Sequence, residues 1–84
     1  MPEVIMYCTA ACPYCIMAEK LLLGKDVEIN KIRVDLEPDR RNEMMTRTGR
    51  RTVPQIYIGD KHIGGFDDLS ALDKAGGLDP LLAA

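Results

Sequence analysis

Two cysteines separated by two residues, Cys12-Pro13-Tyr14-Cys15, lie where a short apolar run gives way to a helical pattern. The run before them, Val4-Ile5-Met6-Tyr7, is typical of a buried strand. Apolar residues after them have the spacing of an amphipathic helix: Tyr14, Met17, Ala18, Leu21 and Leu22. Pro13 suits the first turn of a helix, where its missing N–H is not needed. The pattern predicts a strand, then a helix that starts at the cysteines and ends at a left-handed Gly24.

A second strand and a second helix follow in the sequence. The strand is predicted to begin near Ile29, and its alternating apolar residues are Ile32, Val34 and Leu36. Because a helix intervenes, this strand is expected to lie parallel to the first in a right-handed βαβ unit. Pro38 opens a polar, largely exposed helix that runs to about Thr48 and stops at Gly49. Its main apolar residues are Met44 and Met45.

The last part of the chain predicts a hairpin and two further helical segments. Apolar runs at 55–58 and 61–63 flank Gly59-Asp60, and a two-residue Gly-X connection is a strong hairpin signal. Asp67 or Asp68 is predicted to cap a third helix that ends at Gly76, and Asp79-Pro80 to cap a short terminal turn. The chain is therefore expected to form one α/β domain, residues 1–84, with βαβαββα order and a four-stranded mixed sheet flanked by helices.

Composition restricts the class of protein further. Eleven basic and thirteen acidic residues leave a net charge of -2 without a basic stripe, which argues against nucleic acid as a partner. No apolar run approaches the roughly 20 residues that span a bilayer, so no membrane is expected. The N-terminus has no signal-type pattern, and three cysteines are too few for a secreted disulfide framework. These features predict a cytoplasmic protein, in which a cysteine pair is typically catalytic or metal-binding.

Thiol–disulfide exchange is the chemistry that the cysteine pair favours, because CxxC at a βαβ strand–helix junction is the thioredoxin-like redox pattern. Cys12 is expected at the exposed helix tip, where the positive helix terminus favours its thiolate. Cys15 would lie one turn inside and be better shielded. Cys12 would then attack a substrate disulfide, and Cys15 would attack Cys12 to release the reduced product.

A zinc site is the competing interpretation of the same cysteines. Cys8, Cys12, Cys15 and His62 are suitable ligand types, but no second CxxC or paired histidine is present, so no metal is expected. His62 is expected to point toward solvent from its strand. Cys8 is expected to pack as a small apolar residue at the end of the first strand. An auxiliary thiol that is subject to oxidation remains the alternative for Cys8.

Thr52-Val53-Pro54 is a second candidate feature. A cis Val53–Pro54 bond would turn the backbone polar groups of Val53 toward the cysteines, where a peptide-like ligand could add by β-type hydrogen bonds. The ordinary alternative is a trans proline at the start of an edge strand, since trans bonds predominate.

Gly64-Gly65 before a helix start, with Asp67-Asp68, is a third candidate feature. The free N–H groups of the helix could bind a carboxylate and the aspartates an ammonium group, which together suit an amino-acid head group. The alternative is that Asp67 and Asp68 only cap the helix. Arg50 and Arg51 could meet a second carboxylate or remain solvated.

Together these motifs resemble the glutaredoxins, specifically the small bacterial dithiol type, over nearly the whole chain. The marks are Cys12-Pro13-Tyr14-Cys15, Thr52-Val53-Pro54-Gln55-Ile56, His62-Ile63-Gly64-Gly65 with Asp67-Asp68, and Gly76-Gly77-Leu78-Asp79-Pro80-Leu81. The resemblance implies a thioredoxin-like fold, a cis Val53–Pro54 bond, glutathione as co-substrate and no tightly bound cofactor. The glutathione groove is expected to contain Tyr14, Arg51, Thr52, Val53, Pro54, Gly65, Phe66, Asp67 and Asp68.

Two departures from the family pattern affect this expectation. The family often has a lysine where this chain has Thr9, and that lysine helps to stabilise the thiolate and meets a glutathione carboxylate. We hypothesise that Arg51 partly replaces its charge. Phe66 occupies a position where some relatives have an additional cysteine, whereas the additional thiol of this chain is Cys8.

The resemblance implies an enzyme, a glutathione-dependent thiol–disulfide oxidoreductase that donates electrons in cell redox homeostasis. It would reduce protein disulfides through Cys12 and Cys15, and glutathione mixed disulfides through Cys12 alone. Expected partners are glutathione and disulfide-containing or glutathionylated proteins, with ribonucleotide reductase a family-level expectation, and the protein is expected to be a monomer. One alternative is a thioredoxin-like protein that does not use glutathione. Another is an iron–sulfur carrier in which two chains share a cluster through Cys12 and two glutathiones.

Overall fold

The computed structural model describes residues 2–84, and within them the chain folds into four strands and four helices. In chain order these are β1 (Val4–Cys8), α1 (Pro13–Leu23), β2 (Ile29–Arg33), α2 (Pro38–Thr48), β3 (Gln55–Ile58), β4 (Lys61–Gly64), α3 (Phe66–Lys74) and α4 (Leu78–Ala83). The predicted order is confirmed, with α4 as the predicted terminal turn. Met1, the first residue of the predicted domain, lies outside the described residues.

The strands form one mixed sheet in the order β2-β1-β3-β4. β1 is parallel to β2, with Val4 opposite Ile29, as the βαβ prediction requires. β3 is antiparallel to both β1 and β4, and the β3–β4 hairpin turns at Gly59, whose φ of 59° favours glycine. Because β1 is central, the loop that follows it and carries Cys12 emerges at the middle of the sheet edge.

The two faces of the sheet bury two separate cores. Met6 and Cys8 of β1 pack with buried residues of α1, α3 and α4. Tyr7, which points to the opposite face, packs with Met44 of α2. Met44 is the buried residue of an otherwise mostly exposed helix, as predicted for α2. The alternation along β1 therefore places Cys8 on the side of α1, which is also the side of Cys15.

The buried face of α1 differs from the predicted face. Cys15, Ala18 and Leu22 are buried, whereas Tyr14 is 58 % exposed and Met17 is 45 % exposed. The helical spacing was predicted correctly, but apolar residues occupy several neighbouring positions around the helix. The face that packs against the sheet contains Cys15 and not Tyr14. Gly24 is right-handed at φ -65° and does not provide the predicted left-handed terminus.

Two other local predictions need correction. β2 ends at Arg33, because the Arg33 carbonyl accepts hydrogen bonds from the N–H groups of Leu36 and Glu37 in a turn before α2. Leu36 is consequently 68 % exposed and not a strand residue. The N-cap of α4 is Gly77, so the predicted cap Asp79 lies within the first turn of that helix. Among residues 2–84, no helix is long and apolar enough to cross a membrane.

Candidate active site

Cys12 is the N-cap residue of α1, and its backbone is extended at φ -129° and ψ 101°. Pro13 occupies the first turn, as predicted. The backbone N–H of Cys15 donates to Cys12 Sγ at 3.2 Å, and the Cys12 thiol donates to the Val53 carbonyl at 3.7 Å. A sulfur at this position receives an oriented N–H group and lies at the positive end of the helix, so both features would stabilise negative charge that develops on it during exchange.

Both cysteines of the motif are buried, which corrects the prediction of an exposed Cys12. Cys12 is 8 % exposed and Cys15 is 4 % exposed. Val53 packs against the cluster that contains Cys12 and accepts its hydrogen bond, a long-range contact that the motif does not encode. Burial, together with a hydrogen bond to Cys12, raises the pKa of the Cys15 thiol to about 12. Cys15 is therefore a protonated thiol at neutral pH, and it carries no charge that would oppose a thiolate at Cys12.

A groove of about 340 Å³ opens beside the cysteine motif. It is lined by Tyr14, Arg50, Thr52, Val53, Pro54, Gly65, Phe66, Asp67 and Asp68. The structure thus brings together every residue that was predicted for the groove except Arg51. The Val53–Pro54 peptide bond is cis, as the family resemblance implied and the spacing alone did not decide.

Two aromatic rings form one end of this groove. Tyr14 at the start of α1 and Phe66 at the start of α3 are stacked, with ring centroids 6.4 Å apart and an interplanar angle of 30°. Tyr14 is more than half exposed, so it presents an apolar face to a bound molecule. The contact joins the starts of α1 and α3, and sequence reasoning did not predict it.

Asp68 is a negatively charged residue of the groove that is held by two hydrogen bonds. Its Oδ2 accepts hydrogen bonds from the Gly65 N–H at 3.0 Å and from Arg50 Nη1 at 2.9 Å. The Arg50 guanidinium and the Gly65 N–H hold the pKa of Asp68 below its ordinary value. Gly65 is the N-cap of α3, so Asp68 caps the helix from its third position and Asp67 does not cap it.

Arg50 occupies the place that was hypothesised for Arg51. Arg50 and Arg51 both line a neighbouring depression beside α2, but only Arg50 also lines the groove, and the Arg51 carbonyl accepts a hydrogen bond from Arg41 Nη2 at 3.4 Å. The two arginines are adjacent in sequence and follow Gly49, the left-handed terminus of α2 at φ 70°. No pattern in the sequence distinguishes them.

His62 does not point toward solvent, which corrects its prediction. Its ring stacks on Tyr57 at 5.0 Å, and Nε2 lies 2.8 Å from Gln55 Oε1. The fully buried Gln55 donates through Nε2 to the Thr52 carbonyl at 3.0 Å. The His62–Gln55 pair therefore holds Thr52, a residue that lines the groove, and sequence reasoning missed this role. The available signal was a polar side chain, Gln55, in the middle of a buried strand, because such a group requires partners.

The engagement of His62 also separates it from the cysteines of the zinc alternative. Within residues 2–84, no group of three or more His, Cys, Asp or Glu side chains is placed to hold a metal ion. Cys8, Cys12 and Cys15 are all unpaired in the described chain. The site is therefore a dithiol beside a groove, an arrangement that suits exchange chemistry on a disulfide.

Comparison with known proteins agrees with this geometry. The glutaredoxin family model matches residues 4–63. The chain is 52 % identical to a glutaredoxin of Pseudomonas aeruginosa over 84 residues, with 100 % of both chains covered. It is 51 % identical to glutaredoxin 3 of Escherichia coli K12 over 82 residues, which cover 98 % of this chain and 99 % of that protein.

A solved structure extends the likeness to three dimensions. The crystal structure of a buckwheat glutaredoxin–glutathione complex superposes with a TM-score of 0.90 and 32 % identity, over 98 % of this chain and 77 % of that chain. This likeness confirms the predicted thioredoxin-like α/β fold. The chain therefore belongs to the glutaredoxin family, and it is a glutathione-dependent thiol–disulfide oxidoreductase.

Proposed function

We propose that Cys12 is the nucleophile and Cys15 the resolving thiol of this oxidoreductase. The observation that carries the assignment is the N-cap position of Cys12, whose sulfur receives the Cys15 N–H at 3.2 Å beside the groove. This hydrogen bond would stabilise a negative charge on Cys12 when Cys12 attacks the substrate. The buried Cys15 thiol stays protonated until a mixed disulfide on Cys12 needs to be resolved.

Reduction of a protein disulfide then proceeds by two exchanges. The Cys12 thiolate attacks one substrate sulfur, the substrate disulfide breaks, and a mixed disulfide forms with Cys12. Cys15 loses its proton and attacks Cys12 Sγ, so the substrate leaves as a dithiol and the Cys12–Cys15 disulfide remains. One glutathione thiolate opens that disulfide at Cys12, and a second removes the first as glutathione disulfide.

A glutathionylated protein requires Cys12 alone. The Cys12 thiolate attacks the glutathione sulfur, the protein thiol leaves, and a second glutathione regenerates Cys12 as glutathione disulfide forms. Directing the attack to the glutathione sulfur requires that the glutathione half of the substrate be held. We assign this role to the groove, and its lining supports the assignment: the Val53 backbone would pair in β fashion, the α3 N-terminus would bind a carboxylate, and Asp67 with Asp68 would bind an ammonium group.

We further propose that the protein acts in the cytoplasm as a monomer, on disulfide-containing or glutathionylated proteins, without a tightly bound cofactor. The unpaired cysteines of the described chain fit a reducing compartment. Ribonucleotide reductase is a candidate partner by family analogy. Absence of cluster absorption after anaerobic purification would support the cofactor assignment, whereas a brown protein would contradict it.

The test of the cysteine roles is a coupled assay with glutathione, glutathione reductase and a small glutathione mixed disulfide. Cys12→Ser is expected to abolish turnover, whereas Cys15→Ser is expected to retain it. With a protein disulfide as substrate, both variants should lose activity. The two substitutions exchange the same atoms, so each is a control for the other, and thermal unfolding confirms that both are folded. Equal loss from both variants on the mixed disulfide would contradict the assigned roles.

A further inference from the structure

Cys8 has a position that the exchange mechanism does not use. It is 3 % exposed at the end of β1, and its side of the strand faces α1. Cys8 and Cys15 both line a small cavity of about 150 Å³ on the far side of α1 from the glutathione groove. Cys12 is absent from the lining of that cavity. The two thiols on this side of the sheet edge are therefore Cys8 and Cys15.

Cys8 packs within the apolar core as predicted, and charged side chains lie beside it. Burial raises the pKa of the Cys8 thiol, while the positive charges of Lys31 and Arg33 act in the opposite direction. Lys31 and Arg33 line the same cavity, together with Glu19, which pairs with Lys31 at 2.6 Å. A negative charge on Cys8 would in turn raise the pKa of Cys15.

We propose that Cys8 is a third redox residue of this chain, which exchanges with the Cys12–Cys15 disulfide to form a Cys8–Cys15 disulfide and a free Cys12. This inference rests on the proposed roles of Cys12 and Cys15. The Cys8 thiol loses its proton to solvent, and its thiolate attacks Cys15 Sγ. The bond between Cys12 and Cys15 breaks, and Cys12 leaves as a thiolate. One disulfide replaces another, so no oxidant or reductant is consumed.

The geometry favours this direction of attack. Cys8 and Cys15 line the same cavity, whereas the Cys12 thiol contacts the Val53 carbonyl and does not line that cavity. Cys12 is also the better leaving group, because its sulfur keeps the Cys15 N–H and the helix terminus when it departs. Molecules in the exchanged state hold Cys12 as a free thiol but have no neighbouring thiol to resolve a mixed disulfide. They are restricted to the reaction that needs Cys12 alone.

The exchanged state can be detected by mapping which cysteine remains free. The wild-type protein is oxidised with glutathione disulfide, quenched in acid, alkylated, digested with pepsin and examined by mass spectrometry. An oxidised molecule with one disulfide has one thiol left to alkylate. That thiol is Cys8 if the Cys12–Cys15 disulfide has formed, and it is Cys12 if the Cys8–Cys15 disulfide has formed. We expect both products from the wild type and complete loss of the Cys8–Cys15 peptide in Cys8→Ala. Alkylation of Cys8 alone in every such wild-type molecule would overturn the proposal.

A second variant tests whether the pair can close at all. In Cys12→Ser, glutathione disulfide is expected to yield the Cys8–Cys15 disulfide with release of two glutathione molecules. Recovery of Cys8 and Cys15 unlinked in this folded variant would also overturn the proposal. Failure of the proposed function gives a different result, because Cys8→Ala would then form no Cys12–Cys15 disulfide. If the Cys12–Cys15 disulfide forms in Cys8→Ala but alkylated Cys12 is never found in the oxidised wild type, the proposed role of Cys8 is wrong and the proposed function stands.

Discussion

Removal of the Asp68 carboxylate tests the connection between the start of α3 and the groove. In Asp68→Ala, the Gly65 N–H loses its acceptor at 3.0 Å and Arg50 loses its partner at 2.9 Å. Asp68→Asn keeps an acceptor for the N–H but loses the charge. Asp67→Ala is the matched control, because it removes a carboxylate from the same helical turn and leaves both of those hydrogen bonds in place.

The magnitude follows from the two contacts. Loss of a helix-capping hydrogen bond costs about 1 kcal/mol. The ion pair with Arg50 adds only about 0.2–1 kcal/mol, since both side chains are nearly half exposed and screened by water. Asp68→Ala should therefore destabilise the protein by about 1–2 kcal/mol, which for a domain of this size lowers Tm by roughly 4–16 °C. Asp68→Asn should fall between the wild type and Asp68→Ala.

The pH dependence gives this prediction a second readout. The pKa of Asp68 is lowered in the folded protein, so its stabilisation is fully present above the ordinary carboxyl pKa of about 3.9. It is lost as the pH falls through the lowered folded value. Thermal unfolding of wild type and variants at neutral and acid pH should show the Tm deficit of Asp68→Ala shrinking in acid. A deficit equal to that of Asp67→Ala, or one that does not change with pH, would refute the reasoning.

Two further pairs of substitutions test the groove. Arg50→Ala should raise the KM for glutathione by up to about fivefold in the coupled assay, which corresponds to the ~1 kcal/mol of a half-exposed charged contact. Arg51→Ala should raise KM less. A larger effect from Arg51→Ala than from Arg50→Ala would restore the Arg51 hypothesis. Gly64→Ala should destabilise the protein by about 1–3 kcal/mol, because φ is 114° and an added Cβ would clash with Asp68 Oδ2. Gly76→Ala, at φ 80° with nothing within 4 Å of the added Cβ, should cost less in thermal unfolding, and equal losses would show that the clash is not felt.

Features controlled by neighbouring residues could be predicted from the sequence. α2 begins at Pro38 and ends before Gly49 because proline at a first turn and a left-handed glycine act on the backbone at their own positions. The hairpin at Gly59 and the N-cap position of Cys12 have the same local origin. The order of strands and helices followed from these boundaries, and with it the placement of the cysteine pair at the sheet edge.

Features controlled by distant residues could not be predicted in the same way. The strand-then-helix pattern and Pro13 predict that Cys12 starts a helix, but its burial and its contact with the distant Val53 carbonyl arise only in the folded chain. Which of two adjacent arginines faces the groove, and whether His62 meets water or Gln55, depends on contacts between elements far apart in the chain. The sequence by itself determined a dithiol at a helix start. Tertiary packing decided what surrounds each thiol, because burial and hydrogen-bond partners are properties of the assembled fold.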